Sequence, residues 1–244
     1  MLYHPFRMSP RIAILLLALA APAFAQLDLT GVWLPVFHED QPERIPGPSL
    51  VDYLGLPIND SARKWALAWD PDRLTAQEHQ CQVHTAAYIF RGPLLLRIWE
   101  ERDPQTQNIV AIHMYSSTYE QNRVIWMDGR PHPAGYAPHT WMGFSTGKWE
   151  GKTLVIETTM LLPGWLDGSG YPMSGGSDTR IVERWTPAEN GLTMERTLTV
   201  YDKLYTQPIT RTRGSQRGDA AAVDAEGACH RTHQPVDQRA VLRA

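Results

Sequence analysis

Cysteine is scarce in this chain: there are two in 244 residues, Cys81 and Cys229. So few thiols exclude a disulfide-dense scaffold and any all-cysteine zinc module. No block of basic residues occurs and the net charge is −3, which argues against nucleic acid as a partner. After residue 21 no apolar run is long enough to span a bilayer, so no membrane insertion is expected. No Walker loop, dinucleotide fingerprint, H-E-x-x-H motif or EF-hand loop is present, and the expectation is a protein with no cofactor and no resident metal.

What is present begins with an export signal. Arg7 and Arg11 give a positive start, residues 12–21 form a short apolar run, and Ala23-Phe24-Ala25 is a small-x-small cleavage site. Residues 1–25 therefore read as a signal peptide and 26–244 as a single domain of about 219 residues. No cysteine stands at the cleavage site, so a lipid anchor is not expected, and the mature chain should be periplasmic or secreted. In that oxidising compartment the two cysteines are most simply a disulfide. Closing so long a loop is worth about 5 kcal/mol in chain entropy. The alternative is a metal site from Cys81, His84, Cys229, His230 and His233, whose C-x-x-H and C-H-x-x-H spacings suit ligation.

Residues 124–159 are the stretch around which the rest is arranged. They read V-I-W-M-D-G-R-P-H-P, then a loop, then T-W-M-G-F-S-T-G-K-W-E-G-K-T-L-V-I-E-T-T. Asp128-Gly129 and Glu150-Gly151 each follow an apolar, β-rich run and predict tight hairpins, since glycine adopts positive φ cheaply. Alternating patterns predict strands over 29–37, 94–100, 108–116, 119–127, 140–148, 152–159, 180–185, 192–201 and 206–213. Asn190-Gly191 marks a further hairpin. Asn59-Asp60-Ser61 predicts the cap of one short helix, with Trp65, Leu67, Ala68 and Trp69 as its apolar side. Residues 38–57 are rich in proline, glycine and charge and read as an irregular excursion. Nine strands and one helix fit an all-β fold, a closed antiparallel barrel or a sandwich with long loops.

Strand alternation also says which polar groups turn inward. Ile181, Glu183 and Trp185 share a face, as do Met194, Arg196 and Leu198, and the Asn190-Gly191 turn makes their strands neighbours. A Glu183–Arg196 pair inside the fold follows, either as a structural ion pair or with Arg196 holding a ligand carboxylate. His113 shares a face with Ile109, Ala111 and Tyr115 and is a further binding candidate. His132, His139, Trp141 and Arg130 cluster between the two turns of the central stretch. Residues 162–178 form a glycine-rich loop with Trp165, Asp167 and Tyr171, and loops of this length are commonly lids or binding loops. Asp167 beside aromatic rings is suited to general acid–base work, with His132, His139 and Tyr171 as companions. Trp165, Trp141, His113, Arg130, Glu183 and Arg196 are the candidate substrate contacts. Gly143-Phe144-Ser145-Thr146-Gly147 spells G-x-S-x-G, but a nucleophile elbow requires a helix after the serine, and here a turn and strand follow.

Two resemblances bear on the fold and the family. Gly31-Val32-Trp33 resembles the G-x-W signature near the start of lipocalin-like barrels, in which the tryptophan closes one barrel end. More extensively, Cys81, Ile125–Pro133, Gly143–Thr158, Trp165–Ser174, Ile181–Trp185 and Cys229 are similar, in order, to segments of a family of exported bacterial proteins. Its members carry I-x-M-D-G-R-x-H-P, G-x-S-x-G-x-W-E-G-x-T-L-V-V-x-T and V-x-E-R-F. The chain departs from them at Val83-His84-Thr85, where proline and glycine are usual, and at Tyr171, where histidine is frequent. The resemblance implies an exported module rather than a particular reaction. Nine tryptophans and nine tyrosines in such a barrel suit an aromatic-lined site. The expected function is therefore acid–base chemistry on a small apolar or aromatic molecule, as a lyase, isomerase or hydrolase. The alternative is a lipocalin-like protein that binds such a molecule unchanged.

Overall fold

In a computed structural model, the structure describes residues 28–36, 57–68, 84–90, 95–166 and 171–218. Nine strands close into one barrel in the order β1-β11-β10-β9-β6-β5-β4-β3-β2. The strands are β1 (Gly31–Pro35), β2 (Leu96–Arg102), β3 (Ile109–Ser116), β4 (Gln121–Trp126), β5 (Phe144–Glu150), β6 (Thr153–Thr159), β9 (Arg180–Pro187), β10 (Thr193–Tyr201) and β11 (Ile209–Arg217). A separate two-stranded ribbon joins β7 (Gly164–Trp165) to β8 (Pro172–Met173), and the helix α1 covers Asp60–Ala68. All nine barrel strands coincide with alternating runs in the sequence. Among the described residues the structure is thus an all-β barrel with one short α-helix.

The inward faces follow the two-residue period. Leu154, Ile156 and Thr158 of β6 are buried, as are Ile181, Glu183 and Trp185 of β9 and Met194, Arg196, Leu198 and Val200 of β10. On the far side Ile98, Ile112, Met114 and Ile125 complete the apolar filling. The turn at Gly151 has φ of 62° and joins β5 to β6, with Glu150 opposite Thr153. Gly191, at φ of 67°, turns β9 into β10. Both hairpins stand where the sequence puts them.

The Asp128-Gly129 hairpin does not form. β4 and β5 are parallel neighbours, with Ile125 opposite Ser145 and Trp126 opposite Thr146. Residues 127–143 are therefore a crossover that returns along the outside of the barrel, because two parallel strands cannot be joined by a tight turn. Gly129 still has positive φ, 75°, but it starts this crossover rather than a hairpin. The barrel is antiparallel everywhere except at this one pair.

The two barrel ends are built differently. At one end Trp33 is buried with its indole N–H donated to Leu29 O at 2.9 Å. Arg217 lies over its ring at 4.9 Å and donates to Thr30 O and Asp28 O. Trp33, the tryptophan of the G-x-W string, thus packs at one end of the barrel. At the other end α1, residues 84–90 and the β7–β8 ribbon gather as a cap. Asn59 caps α1 by accepting from the Ala62 N–H at 2.9 Å. The buried side of α1 is Ala62 and Ala66, whereas Trp65 and Leu67 are exposed. The expected tryptophan face is corrected, because only the small residues at i and i+4 fit against the barrel end.

Candidate functional site

The barrel interior holds an ion cluster. Arg123, the middle inward residue of β4, is 1% exposed, Glu183 is 0% and Arg196 is 2%. Arg123 Nη2 is 2.6 Å from Glu183 Oε1, and Arg196 Nη1 is 3.7 Å from Glu183 Oε2. The Arg123–Glu183 approach is close but poorly aligned, since Oε1 accepts no hydrogen bond of good geometry. Oε2 accepts from the Trp185 indole N–H at 3.0 Å. Arg123 also donates from Nε to Ser145 Oγ at 3.1 Å and from Nη2 to Thr158 Oγ1 at 2.7 Å, and the two hydroxyls are 2.9 Å apart. Its Nη1 is buried with no hydrogen-bond partner among the described residues.

Sequence reasoning placed Glu183 and Arg196 together inside, and the structure does so, with Arg196 opposite Trp185 and Glu183 opposite Leu198. It missed Arg123. Gln121, Arg123 and Ile125 alternate along β4, so the pattern held the signal.

The G-x-S-x-G string is explained by this cluster. Ser145 lies mid-strand and supports Arg123. Gly143 has φ of 63°, and a side chain there would sit 2.4 Å from Thr159 O. A side chain on Gly147 would meet Met127 Sδ at 2.6 Å. Both glycines make room for neighbouring chain, not for a nucleophile.

The cap collects the aromatic candidates. Trp141 O accepts from the Ala86 N–H at 3.0 Å, and Trp165 O accepts from the Thr85 hydroxyl at 3.3 Å. Tyr171 is buried beside them, and a side chain on Gly164 would touch both Thr85 and Trp141. From the same segment Phe90 reaches inward. Its ring meets Trp185 edge-on at 4.8 Å and lies 4.1 Å from the Arg196 guanidinium carbon. Phe90 thus links the cap to the interior cluster.

The remaining candidates lie on the outer wall. His132 sits in the crossover, its Nδ1 bonded to Thr159 Oγ1 at 2.7 Å and its Nε2 to Thr146 Oγ1 at 2.8 Å. Its ring stands edge-on to Phe144, and burial lowers its pKa from 6.5, opposed by the Glu157 charge. Arg130 stacks on Trp126 at 3.6 Å and pairs with Asp128, whose carboxyl the guanidinium holds below its ordinary range. These residues pin the crossover to β4, β5 and β6. His113 also faces outward, bonded to Glu101 at 2.9 Å and stacked on Trp99. His113, His132 and Arg130 are therefore not gathered with Arg196: His113 stands on the outer face of β3, and His132 and Arg130 belong to the crossover that runs along the outside. His139 is half-buried at the crossover's far end. Asp167, Cys81 and Cys229 lie outside the described residues.

Among the described residues no group of three or more His, Cys, Asp or Glu stands together for a metal ion, and no helix is long and apolar enough to cross a membrane. The chain finds no match among protein-family models, curated proteins or solved structures.

Proposed function

We propose that this barrel is a binding protein for a small apolar or aromatic molecule bearing one anionic group, which Arg123 receives inside the barrel. The observation that supports it most is the Arg123–Glu183–Arg196 cluster. Two guanidiniums converge on one carboxylate where water is excluded, and one Arg123 N–H is left without an acceptor among the described residues. Burying charge is costly unless it is paired, so an anion arriving beside Arg123 exchanges water for a charge-assisted hydrogen bond. Phe90, whose ring lies against Arg196 and Trp185, supplies ring surface beside the cluster, with Trp141, Trp165 and Tyr171 of the cap as the further aromatic candidates for the rest of the molecule.

The reading includes export to the periplasm or beyond, membership of the exported family with the M-D-G-R-x-H-P motif, and a Cys81–Cys229 disulfide. It differs from acid–base catalysis by Asp167, His132, His139 and Tyr171 in what happens to the ligand. The test is to titrate the full chain with aromatic carboxylates and their neutral amides, following tryptophan fluorescence. Trp185, bonded to Glu183, is a built-in reporter. Carboxylates that alter the signal, and are recovered unchanged by mass spectrometry, support binding. Conversion of the ligand would instead favour the enzyme, and equal response to acids and amides removes Arg123 from recognition.

A further inference from the structure

Gln121 precedes Arg123 by two positions on β4 and turns to the same inward face, with its residue 2% exposed. Its side-chain N–H donates to the backbone oxygen of His84. A carbonyl can only accept, so this bond fixes the amide orientation: nitrogen toward His84, oxygen away from it. That oxygen, Oε1, is buried and has no hydrogen-bond partner among the described residues. Arg123 Nη1 is in the same condition with opposite polarity. The two Cα atoms are about 7 Å apart along one strand, and both side chains turn to the same inward face. Each orphan alone is a fault that native proteins rarely retain. Together they form a matched demand: an acceptor for Arg123 and a donor for Gln121.

We propose that the ligand is a hydroxy-carboxylic acid, its carboxylate on Arg123 Nη1 and its hydroxyl donated to Gln121 Oε1. This rests on the binding reading above and narrows its ligand class. A plain carboxylate leaves Gln121 Oε1 unsatisfied. A neutral alcohol leaves the Arg123 N–H without a charged acceptor. Bond orientation at His84 also ties the site to the cap segment that carries Phe90, so the acid head and the aromatic body are recognised by connected elements.

The test compares mandelate with phenylacetate, which differ by one hydroxyl, by calorimetric titration of the full chain. The expected result is tighter binding of mandelate by about tenfold, the factor one ordinary hydrogen bond provides. In Gln121→Met the ratio of mandelate to phenylacetate affinity falls toward one, whatever happens to the absolute affinities. Equal affinities in the unaltered protein overturn the inference and leave the carboxylate reading intact. A gap that survives in Gln121→Met also overturns it. Failure of both acids to bind overturns it together with the reading on which it rests. The wild-type comparison decides the matter even if the variant does not fold.

Discussion

Arg123 and Glu183 meet at 2.6 Å although β4 and β9, which carry them, are separated in the barrel by β5 and β6. The contact therefore spans the interior, not the sheet. It makes β4, one strand of the parallel pair, an electrostatic partner of the β9–β10 hairpin. Arg123 reaches the β5–β6 hairpin as well, through Ser145 and Thr158.

This contact predicts an asymmetry in stability. Glu183→Leu leaves two buried guanidiniums facing each other and should cost about 3–5 kcal/mol. Replacing Arg123, Glu183 and Arg196 together by Met or Leu should cost much less than that, since no charge is then stranded. Urea denaturation of the single and triple variants checks the ordering.

The crossover predicts a pH effect. Burial depresses the His132 pKa below 6.5, so the folded state binds fewer protons than the unfolded one just below that value. Stability is complete above pH about 6.5 and declines as pH falls toward the folded pKa. His132→Gln should flatten this acid limb. Thermal unfolding between pH 5 and 8 measures it.

The closed end predicts a large packing loss. Trp33 is buried between Leu29 and Arg217, so Trp33→Ala should cost about 3–5 kcal/mol. Arg217→Ala should cost less, as part of its guanidinium is bonded at the surface to backbone oxygens. Denaturant midpoints of the two variants test this ranking.

The proposed Cys81–Cys229 disulfide predicts a thiol count. Denatured without reductant, the chain should show no titratable thiol, whereas a metal site would release both Cys81 and Cys229 as free thiols.

The fold was legible where the chemistry is local. Period-two alternation marks all nine barrel strands, and Gly151 and Gly191 give away two hairpins because positive φ is a property of one residue. Asp128-Gly129 misled for the same reason: Gly129 has the positive φ of a turn, but a turn residue does not say whether the chain doubles back or crosses over. The Glu183–Arg196 pair was readable because a tight turn fixes the register of neighbouring strands. For Arg123 alternation gave the face but not the partner, which arrives from across the barrel and depends on closure and stagger rather than on any local pattern. His113 carries the same difficulty. Alternation says which residues share a face, while only the closed barrel says which face is outside.

The most direct test of the account is the affinity of phenylacetate and of phenylacetamide for the unaltered chain and for Arg123→Gln, measured by calorimetry. The account predicts that the unaltered chain prefers the acid by about 10- to 100-fold, the worth of a hydrogen bond to a charged group, and that Arg123→Gln erases the preference. Equal affinity for acid and amide in the unaltered chain, or an undiminished preference in Arg123→Gln, would contradict it.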